Sequence, residues 1–298
     1  MLPNSFVITE QQKRSFSHDG FLLLQNAVPK QLLALWQEHT DQLESGHGLS
    51  EAQYNHTSWL GINGQRTLSR CNNMLEVFPD AVLDLIACPA VQAISRDLCG
   101  EDAVPLQCDA LFKRKSRESI VLWHQDAPHI RTLPYINIGV YLDNADKDDG
   151  CLRYVPGSQH HIQDICALVQ DHGWDIPGAV DIPAKAGDIL IHDMMVLHGS
   201  RKKDKAGRRR TVYIEMRSAR AIQEEGHHSQ AWLDLRRRWM GIAVRRINTQ
   251  QQSPGLMKGL PNDLGGDEEE IATIMSLHEP PVAAAYCYER ITRDGYPE

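Results

Sequence analysis

The middle of the chain consists of short apolar runs separated by turn residues, and this pattern constrains the fold more than any other feature. The runs lie at 106–113, 120–124, 136–142, 151–155, 180–183, 189–192 and 211–216. Turn signals such as Asp148-Asp149-Gly150 and Pro156-Gly157-Ser158 separate them. Short strands at this spacing are typical of an antiparallel barrel or jelly roll, and not of a parallel sheet with crossover helices.

Helical patterns precede this central region. Thr9 opens a capping box that begins a first helix, and Gly20 is placed to end it in a left-handed conformation. Pro29 suits the first turn of a second helix, and residues 78–98 return to helical spacing. Residues 46–73 are rich in Gly, Asn, His and Ser without a clean period, so we expect an irregular segment beside the functional site.

Helical spacing resumes after Ala219. An apolar stripe at i, i+3, i+7 and i+10 is formed by Trp232, Leu235, Trp239 and Ile242. The neighbouring arginines fall largely off this stripe; they are Arg236, Arg237, Arg245 and Arg246. The stripe indicates a helix that packs on the core or across a dimer interface.

The length of 298 residues fits one large domain with a single core. We expect that domain to span residues 1–298, with a helical N-terminal part (1–103), a β core (104–218) and a helical or irregular C-terminal extension (219–298). With 42% hydrophobic and 23% charged residues, the composition is that of an ordinary globular protein, and not of a disordered, fibrous or membrane protein.

Charge and cysteine usage narrow the location and the partners. The formal net charge of −8 argues against general nucleic-acid binding. The first ten residues lack a basic region followed by an apolar one, and no apolar run approaches membrane-spanning length, so neither secretion nor membrane insertion is expected. The seven cysteines are scattered without a C-x-x-C pair, which predicts neither a disulfide framework nor a zinc ribbon, and favours a reducing cytoplasm. Both a monomer and a homodimer fit these observations.

Two histidines and one carboxylate form a candidate metal site. His124 and Asp126 are two residues apart, which places them on the same face of a strand or of its end. Taken alone the pair is a weak signal, and a local ion pair explains it equally well. His198 follows an apolar run, so it is expected at the end of a buried strand. The three together have the composition of a 2-His-1-carboxylate triad, which binds non-haem Fe(II) and leaves three coordination positions open.

A basic run, Arg208-Arg209-Arg210, follows this histidine. Arg209 lies eleven residues after His198, at the start of the next strand. An enzyme that uses 2-oxoglutarate needs a fixed cation for the distal carboxylate of that cosubstrate, and arginine binds a carboxylate bidentately. Strand periodicity puts Arg209 and Thr211 on one face, with Arg208 and Arg210 on the other. The alternative is a solvated basic turn, which is expected of at least one of the three arginines.

The order of these motifs resembles that of the phytanoyl-CoA dioxygenase family, which includes ectoine hydroxylase. The series runs through Trp123-His124-Gln125-Asp126, Asp149-Gly150-Cys151-Leu152-Arg153-Tyr154-Val155-Pro156-Gly157-Ser158-Gln159-His160, Gly187-Asp188, His198-Gly199-Ser200 and Arg209. The segment Asp19-Gly20-Phe21-Leu22 is similar to the opening strand of that family. The likeness covers residues 6 to 218, and its specificity lies in the ordered series.

The resemblance implies a fold that is mainly β with flanking α: a double-stranded β-helix, the jelly roll of cupin-like proteins, with N-terminal helices and a helical C-terminal extension. It implies Fe(II) bound by His124, Asp126 and His198, with 2-oxoglutarate and O2 as cosubstrates. Other residues are implied to bind the cosubstrate: Arg209 through its distal carboxylate, with Ser200 and Thr211 beside it, and Gln107 as a contact of cosubstrate or substrate.

The implied reaction is hydroxylation of an unactivated C–H bond of a small-molecule metabolite, with release of succinate and CO2. Related halogenases carry a small residue where this chain has Asp126, so hydroxylation is favoured over halogenation. The sequence departs from ectoine hydroxylase after Asp126, which argues against ectoine as the substrate. A substrate pocket is expected between residues 46–73, the loop after Asp126 and the C-terminal extension. Its candidate residues are Trp59, Arg66, His129 and Arg131.

Two readings from other classes stay open. One is a cupin-like protein that is not an oxygenase, such as a metal-dependent isomerase or a binding protein, because one fold hosts many functions. It predicts that no succinate forms from 2-oxoglutarate. The other is that the arginine-rich C-terminal helix binds a partner or nucleic acid, which the apolar stripe and the negative net charge oppose.

Overall fold

Two antiparallel β-sheets form the centre of the chain in a computed structural model, which describes residues 6–62, 64–252, 267–293 and 296–297. In chain order the strands are β1 (Phe21–Leu24), β2 (Thr57–Ile62), β3 (Gln65–Cys71), β4 (Ala103–Ser116), β5 (Val121–Gln125), β6 (Tyr135–Tyr141), β7 (Leu152–Tyr154), β8 (Val180–Ile182), β9 (Ile189–Asp193), β10 (His198–Ser200), β11 (Lys203–Ser218) and β12 (Ala285–Tyr286). The larger sheet has the order β1-β9-β6-β11-β4-β3-β2, and the smaller has β12-β5-β10-β7-β8.

Helices flank the sheets on the N-terminal and C-terminal sides. They are α1 (Glu10–Asp19), α2 (Lys30–Ser45), α3 (Glu51–Asn55), α4 (Met74–Val77), α5 (Pro79–Ala87), α6 (Pro89–Ile94), α7 (Ile165–His172), α8 (Ala219–Glu225), α9 (Gln230–Gln252) and α10 (Asp267–Met275). A π-helical turn (Ser95–Cys99) follows α6, and two 3-10 turns lie at Arg117–Ser119 and Ser158–His160. No helix in the described parts of the chain combines the length and apolar character that a membrane crossing requires.

The expected double-stranded β-helix with flanking helices is confirmed. Strands from outside residues 104–218 nevertheless take part in both sheets. On the N-terminal side, β1 pairs with β9, and the β2–β3 hairpin extends the larger sheet beside β4. On the C-terminal side, β12 pairs with β5 at the edge of the smaller sheet.

The side chains of the long strand β11 alternate between an apolar outer face and a polar inner face of the larger sheet. Its outward side chains, Val212, Ile214 and Met216, belong to the same buried cluster as residues of the helices α2, α5 and α9. The alternate side chains of β11 point the other way, and several of them line a cavity between the two sheets. Because strand side chains alternate, helix packing on one face leaves the other free to carry polar chemistry.

Local signals at the N-terminus predict the observed boundaries. Thr9 caps α1 in a reciprocal capping box with Gln12, and Gly20 ends the helix with a φ of 83°. A β-carbon at position 20 would lie 2.5 Å from the side-chain oxygen of Gln159, so this position also requires glycine for space. The helix therefore ends where β1 must begin, and β1 enters the larger sheet directly.

Two expectations from the sequence are wrong. Residues 46–73 are not irregular, because most of them form α3 and the β2–β3 hairpin. Arg236 does not lie off the buried stripe of α9, since it is 3% exposed and donates to the backbone oxygens of Leu106 and Ile274. Its guanidinium also lies over the ring of Trp232. Hydrogen bonds to backbone oxygens are what make the burial of this arginine tolerable.

Candidate functional site

The two histidines of the candidate metal site face each other across two neighbouring strands. His124 on β5 and His198 on β10 are direct register partners of an antiparallel pair. Asp126 follows two residues after His124, at the end of β5. Its two carboxylate oxygens lie 3.6 Å from Nε2 of His124 and 3.6 Å from Nε2 of His198. One potential ligand atom from each of the three residues lies within 4.8 Å of the others, which is close enough to hold one metal ion.

Backbone oxygens orient both imidazole rings. Nδ1 of His124 donates to the oxygen of Leu122 at 2.8 Å, and Nδ1 of His198 donates to that of Val196 at 2.9 Å. A carbonyl oxygen can only accept, so each Nδ1 carries a proton, and each Nε2, which faces Asp126, is the nitrogen left for a metal ion. Burial, with His124 beside it, holds the pKa of His198 well below its ordinary value. His198 is therefore neutral, as a metal ligand must be.

An aromatic side chain from the C-terminal extension covers this site. The ring of Tyr286 stacks on that of His124, with centroids 4.6 Å apart and an interplanar angle of 7°. Burial raises the pKa of Tyr286 to about 12. Nothing in the sequence around Tyr286 indicates this position, since β12 is only two residues long and has no period of its own.

A disulfide holds the segment next to this tyrosine. Cys287 is bonded to Cys166 of α7, which corrects the expectation that the chain has no disulfide. The expectation failed because the two cysteines are separated by 121 residues and carry no local motif. The other cysteines within the described residues are free and buried.

Arg209 lies on the inner face of β11 at the end of the cavity. It is 4% exposed, and its Nη1 donates to the backbone oxygen of Gly150. Among the described residues, no carboxylate lies within 4.0 Å of its guanidinium nitrogens, whereas Arg208 and Arg210 on the outer face are paired with acids of α2 and the Asp143 loop. A buried arginine without a counter-ion is costly unless a ligand provides one.

A second buried basic side chain stands beside it. Lys113 on β4 is the direct register partner of Arg209 and is 6% exposed. Its Nζ donates to the hydroxyl of Ser200 and to the backbone oxygen of Arg201, each at 2.6 Å. Burial, and then the charge of Arg209, hold the pKa of Lys113 well below its ordinary value. Sequence reasoning missed Lys113, although its spacing from Gln107 along one strand places both on the inner face.

The remaining cosubstrate candidates lie close by. The hydroxyl oxygen of Thr211 is buried and has no hydrogen-bond partner among the described residues. Gln107 lines the cavity and donates to Asp109. Ser200 is fully buried at the end of β10.

The cavity that contains the triad and Arg209 has a volume of about 170 Å³. At the opposite end from Arg209 it is lined by charged and amide groups: Arg70, Gln107, Asp109, Asn137 and Glu215. Arg70 and Asp109 form an ion pair, and Tyr135 donates its hydroxyl proton to Glu215. Burial in particular raises the pKa of Glu215 to about 7. The walls also include three aliphatic side chains, Leu111, Val121 and Leu152, and the rings of Tyr213 and Tyr286.

The four candidate substrate residues do not line this cavity. Arg66 lies over the rings of Tyr54 and Trp59, at 5.3 and 4.8 Å from their centroids, on the β2–β3 hairpin. His129 is bound to Glu225 at 2.8 Å, and Arg131 to Asp193 at 2.8 Å. Arg131 lines a different cleft, of about 750 Å³, beside α1.

Two of the three segments expected around the substrate pocket contribute to the lining of this cavity. Residues 46–73 contribute Arg70, and the C-terminal extension contributes Tyr286. The loop after Asp126 contributes no lining residue, because His129 and Arg131 are held by acids outside the cavity.

The sequence of the chain is similar to those of known proteins. The family model for phytanoyl-CoA dioxygenase (PhyH) matches residues 16–211. The chain is 25% identical over 232 residues to a probable alpha-ketoglutarate-dependent hypophosphite dioxygenase of Stutzerimonas stutzeri, which covers 71% of this chain and 79% of the relative.

Two solved structures are similar in fold. EvdMO1 has a TM-score of 0.60 at 25% identity; the match covers 70% of this chain, which spans about half (49%) of the length of EvdMO1. EctD from S. alaskensis, solved with 2-oxoglutarate and 5-hydroxyectoine, has a TM-score of 0.59 at 18% identity, over 74% of this chain and 80% of that one. At 18% identity, the similarity to EctD concerns the fold alone.

Proposed function

The chain belongs to the phytanoyl-CoA dioxygenase family of 2-oxoglutarate-dependent dioxygenases, and from this premise we propose that it hydroxylates an unactivated C–H bond of a small-molecule metabolite, with release of succinate and CO2. The observation that carries the proposal is that the triad and the unpaired Arg209 line one cavity. A metal site alone would fit many cupin-like proteins. A buried arginine with no carboxylate partner in the same cavity fits a dicarboxylate cosubstrate.

The donor set suits Fe(II). His124 and His198 have Nδ1 engaged by a backbone oxygen and Nε2 left for a metal, and Asp126 offers a carboxylate oxygen to the same point. Two imidazoles and one carboxylate leave positions open on an octahedral ion, which is the arrangement typical of non-haem Fe(II) oxygenases. When bound, Fe(II) supplies the redox chemistry that activates O2. The protein contributes fixed ligand orientation, through the backbone oxygens that accept from both Nδ1 atoms.

The cationic end of the cavity suits 2-oxoglutarate. Arg209 would bind the distal carboxylate, because its planar guanidinium matches the two oxygens. Lys113 donates to the Ser200 hydroxyl and would hold it beside the same group. Thr211 has an unsatisfied buried hydroxyl that a ligand oxygen would complete.

The remaining walls keep the reacting centre dry. Tyr286 covers the face of His124, and Leu111, Val121 and Leu152 line the cavity near the cosubstrate end. Exclusion of water protects a reactive oxidant from side reactions and strengthens the charged contacts. Asp126 would supply a third protein ligand to the metal, which is consistent with hydroxylation and not with halogenation.

Anaerobic binding of Fe(II) and 2-oxoglutarate tests the proposal. A chelated keto acid on Fe(II) should give a charge-transfer band at about 500 nm, which a d¹⁰ metal cannot give. The band should form in the wild type and in His160→Ala, an exposed histidine outside the cavity, and should be lost in His198→Ala. Admission of O2 with a metabolite panel should then yield substrate-stimulated succinate. A metal-dependent isomerase or binding protein would load metal without the band, and that result would refute the proposal.

A further inference from the structure

The paired strands β4 and β11 carry opposite charges at their two ends. At one end Arg209 lies opposite Lys113, and both side chains are basic. At the other end Tyr213 lies opposite Asp109, and Glu215 lies opposite Gln107. Arg209 and Glu215 are six residues apart on one face of β11, a separation of about 20 Å along a strand. The cavity with the triad therefore has a cationic end and an anionic end.

The cationic end is accounted for by 2-oxoglutarate, but the anionic end has no assigned ligand. Asp109 is neutralised by Arg70 and also accepts from Gln107 and from the backbone of Asn73. Glu215 has no such partner: no basic side chain of the described residues lies within 4.0 Å of its carboxylate, and its one side-chain donor is the hydroxyl of Tyr135. An unneutralised carboxylate in a cavity is costly unless a ligand provides a cation.

Two further polar atoms at the cavity wall lack partners. His192 is 2% exposed and lines the cavity; its Nδ1 lies 3.1 Å from the Tyr154 hydroxyl, but its Nε2 has no hydrogen-bond partner among the described residues. The side-chain oxygen of Asn137, on the neighbouring strand β6 and in direct register with His192, is also without a partner there. Buried polar atoms are almost always hydrogen-bonded, so these two are available to hydrogen-bond with a molecule that occupies the cavity.

We propose that the primary substrate carries a positively charged nitrogen, as an ammonium, guanidinium or quaternary ammonium group, and that Glu215 binds this group while Asn137 and His192 bind polar groups of the same molecule. The inference rests on the proposed function, because it takes the cavity with the triad as the place where the substrate binds. A long fatty acyl chain would meet no apolar wall at this end, because the lining there consists of charged and amide groups.

An anionic substrate bound by Arg70 is the competing possibility. Arg70 already has its counter-ion in Asp109, so a substrate anion would have to displace a carboxylate from it. Glu215 needs no displacement, because its carboxylate has no cation to lose. Burial first, and then the charges of Asp109 and Asp126, raise the pKa of Glu215 to about 7, although the Tyr135 hydroxyl and the charge of Arg70 act in the opposite direction. The net rise agrees with a carboxyl that has no cation in direct contact.

Matched pairs of charged and neutral probes test the proposal directly. The pairs are choline with 3,3-dimethylbutan-1-ol, butylammonium with butan-1-ol, and butylguanidinium with butylurea; each pair has one shape and differs in charge. Affinity is measured by calorimetry at pH 8, on the protein as purified and on the anaerobic protein loaded with Fe(II) and 2-oxoglutarate. We expect the charged member of at least one pair to bind about tenfold more tightly than its neutral partner.

Three variants assign that preference to Glu215. Glu215→Gln should reduce it to threefold or less, Glu215→Asp should retain it, and Glu224→Gln, an exposed glutamate of α8, should leave it unchanged. Equal binding of charged and neutral probes to the wild type, no binding of any charged probe, or a preference that survives in Glu215→Gln would each overturn the proposal. If Glu215→Gln does not fold, the wild-type comparison still decides.

The outcome is separable from that of the proposed function. If the wild type does not form the 500 nm band, the oxygenase assignment is refuted. The probe affinities on the purified protein require neither metal nor turnover, so they are measured independently of that result. A protein that forms the band but does not distinguish the probes would retain the assignment and lose the inference.

Discussion

Tyr286 stacks face to face on His124, with ring centroids 4.6 Å apart and planes 7° apart. The contact joins a residue near the C-terminus to a candidate metal ligand at the end of β5. Strand β12 supports it by pairing Tyr286 with His124 and Ala285 with Gln125. The C-terminal extension is therefore a wall of the candidate site and not an appendage to the sheet.

Removal of the Tyr286 ring should loosen this wall. We expect Tyr286→Ala to lower the free energy of unfolding by at least about 1 kcal/mol, because it removes an aromatic pair together with the apolar area that the half-buried ring covers. It should also admit water to His124 and raise the yield of succinate formed without substrate. Tyr286→Phe keeps the ring and is the matched control. Urea denaturation and succinate assays measure both effects, and equal behaviour of the two variants would contradict the role of the ring.

The disulfide between Cys166 and Cys287 should stabilise the same wall. It closes a loop of 121 residues, and cross-links of this kind contribute about 2–4 kcal/mol, chiefly by restricting the unfolded chain. We expect oxidised wild type to lose stability on addition of dithiothreitol, while a Cys166→Ser, Cys287→Ser double variant is insensitive to it. Thermal melts with and without the reductant give this comparison. Two extra thiols that react with an alkylating agent in the untreated wild type would contradict the bond.

Arg209 should control the affinity for 2-oxoglutarate. Truncation of one partner of a buried charged pair costs about 2–5 kcal/mol, so Arg209→Gln should weaken 2-oxoglutarate binding by roughly 30-fold or more. Arg208→Gln is the matched control, because that guanidinium lies on the outer face and is bound to Asp41 and Glu44. Titration of the charge-transfer band with 2-oxoglutarate measures both affinities. A similar loss in both variants would indicate a general effect of charge.

The features that the sequence predicts are those that depend on local patterns of residues. Strand alternation and turn residues indicate the two sheets, a capping box and Gly20 bound α1, and the spacing of His124 from Asp126 puts both at one strand end. The structure brings His198 to them by direct pairing of β10 with β5. Each of these signals lies within a few residues of the feature it predicts.

The features that the sequence does not predict depend on distant pairing. The hairpin at 57–71 has no alternation of apolar and polar residues, and its strands are specified by their place beside β4. Tyr286, the Cys166–Cys287 bond and Lys113 acquire their positions only when remote segments meet. The sequence around Glu215 predicts an ordinary strand residue, and its role becomes apparent only from its neighbours in the cavity.

Glu215 should make stability depend on pH. Its pKa is about 7 in the folded state, mainly because of burial, against an ordinary value of 4.5. The folded protein therefore holds this proton more tightly than the unfolded chain. The resulting stabilisation is fully present below pH 4.5 and is lost as the pH rises through 7. Above pH 7 the free energy of unfolding is therefore lower than below pH 4.5, by up to about 3 kcal/mol from this group.

Glu215→Gln removes this titration and should therefore gain stability relative to wild type as the pH rises. We expect the difference in unfolding free energy between variant and wild type to shift in favour of the variant by about 2–3 kcal/mol from pH 5 to pH 8. Urea denaturation at the two pH values measures it. Glu224→Gln, on the exposed face of α8, should differ from wild type by the same small amount at both. A constant difference for Glu215→Gln would mean that its carboxyl ionises in the folded protein as it does in the unfolded chain. A cationic ligand that binds Glu215 should reduce the shift, because it favours the ionised carboxylate in the folded state.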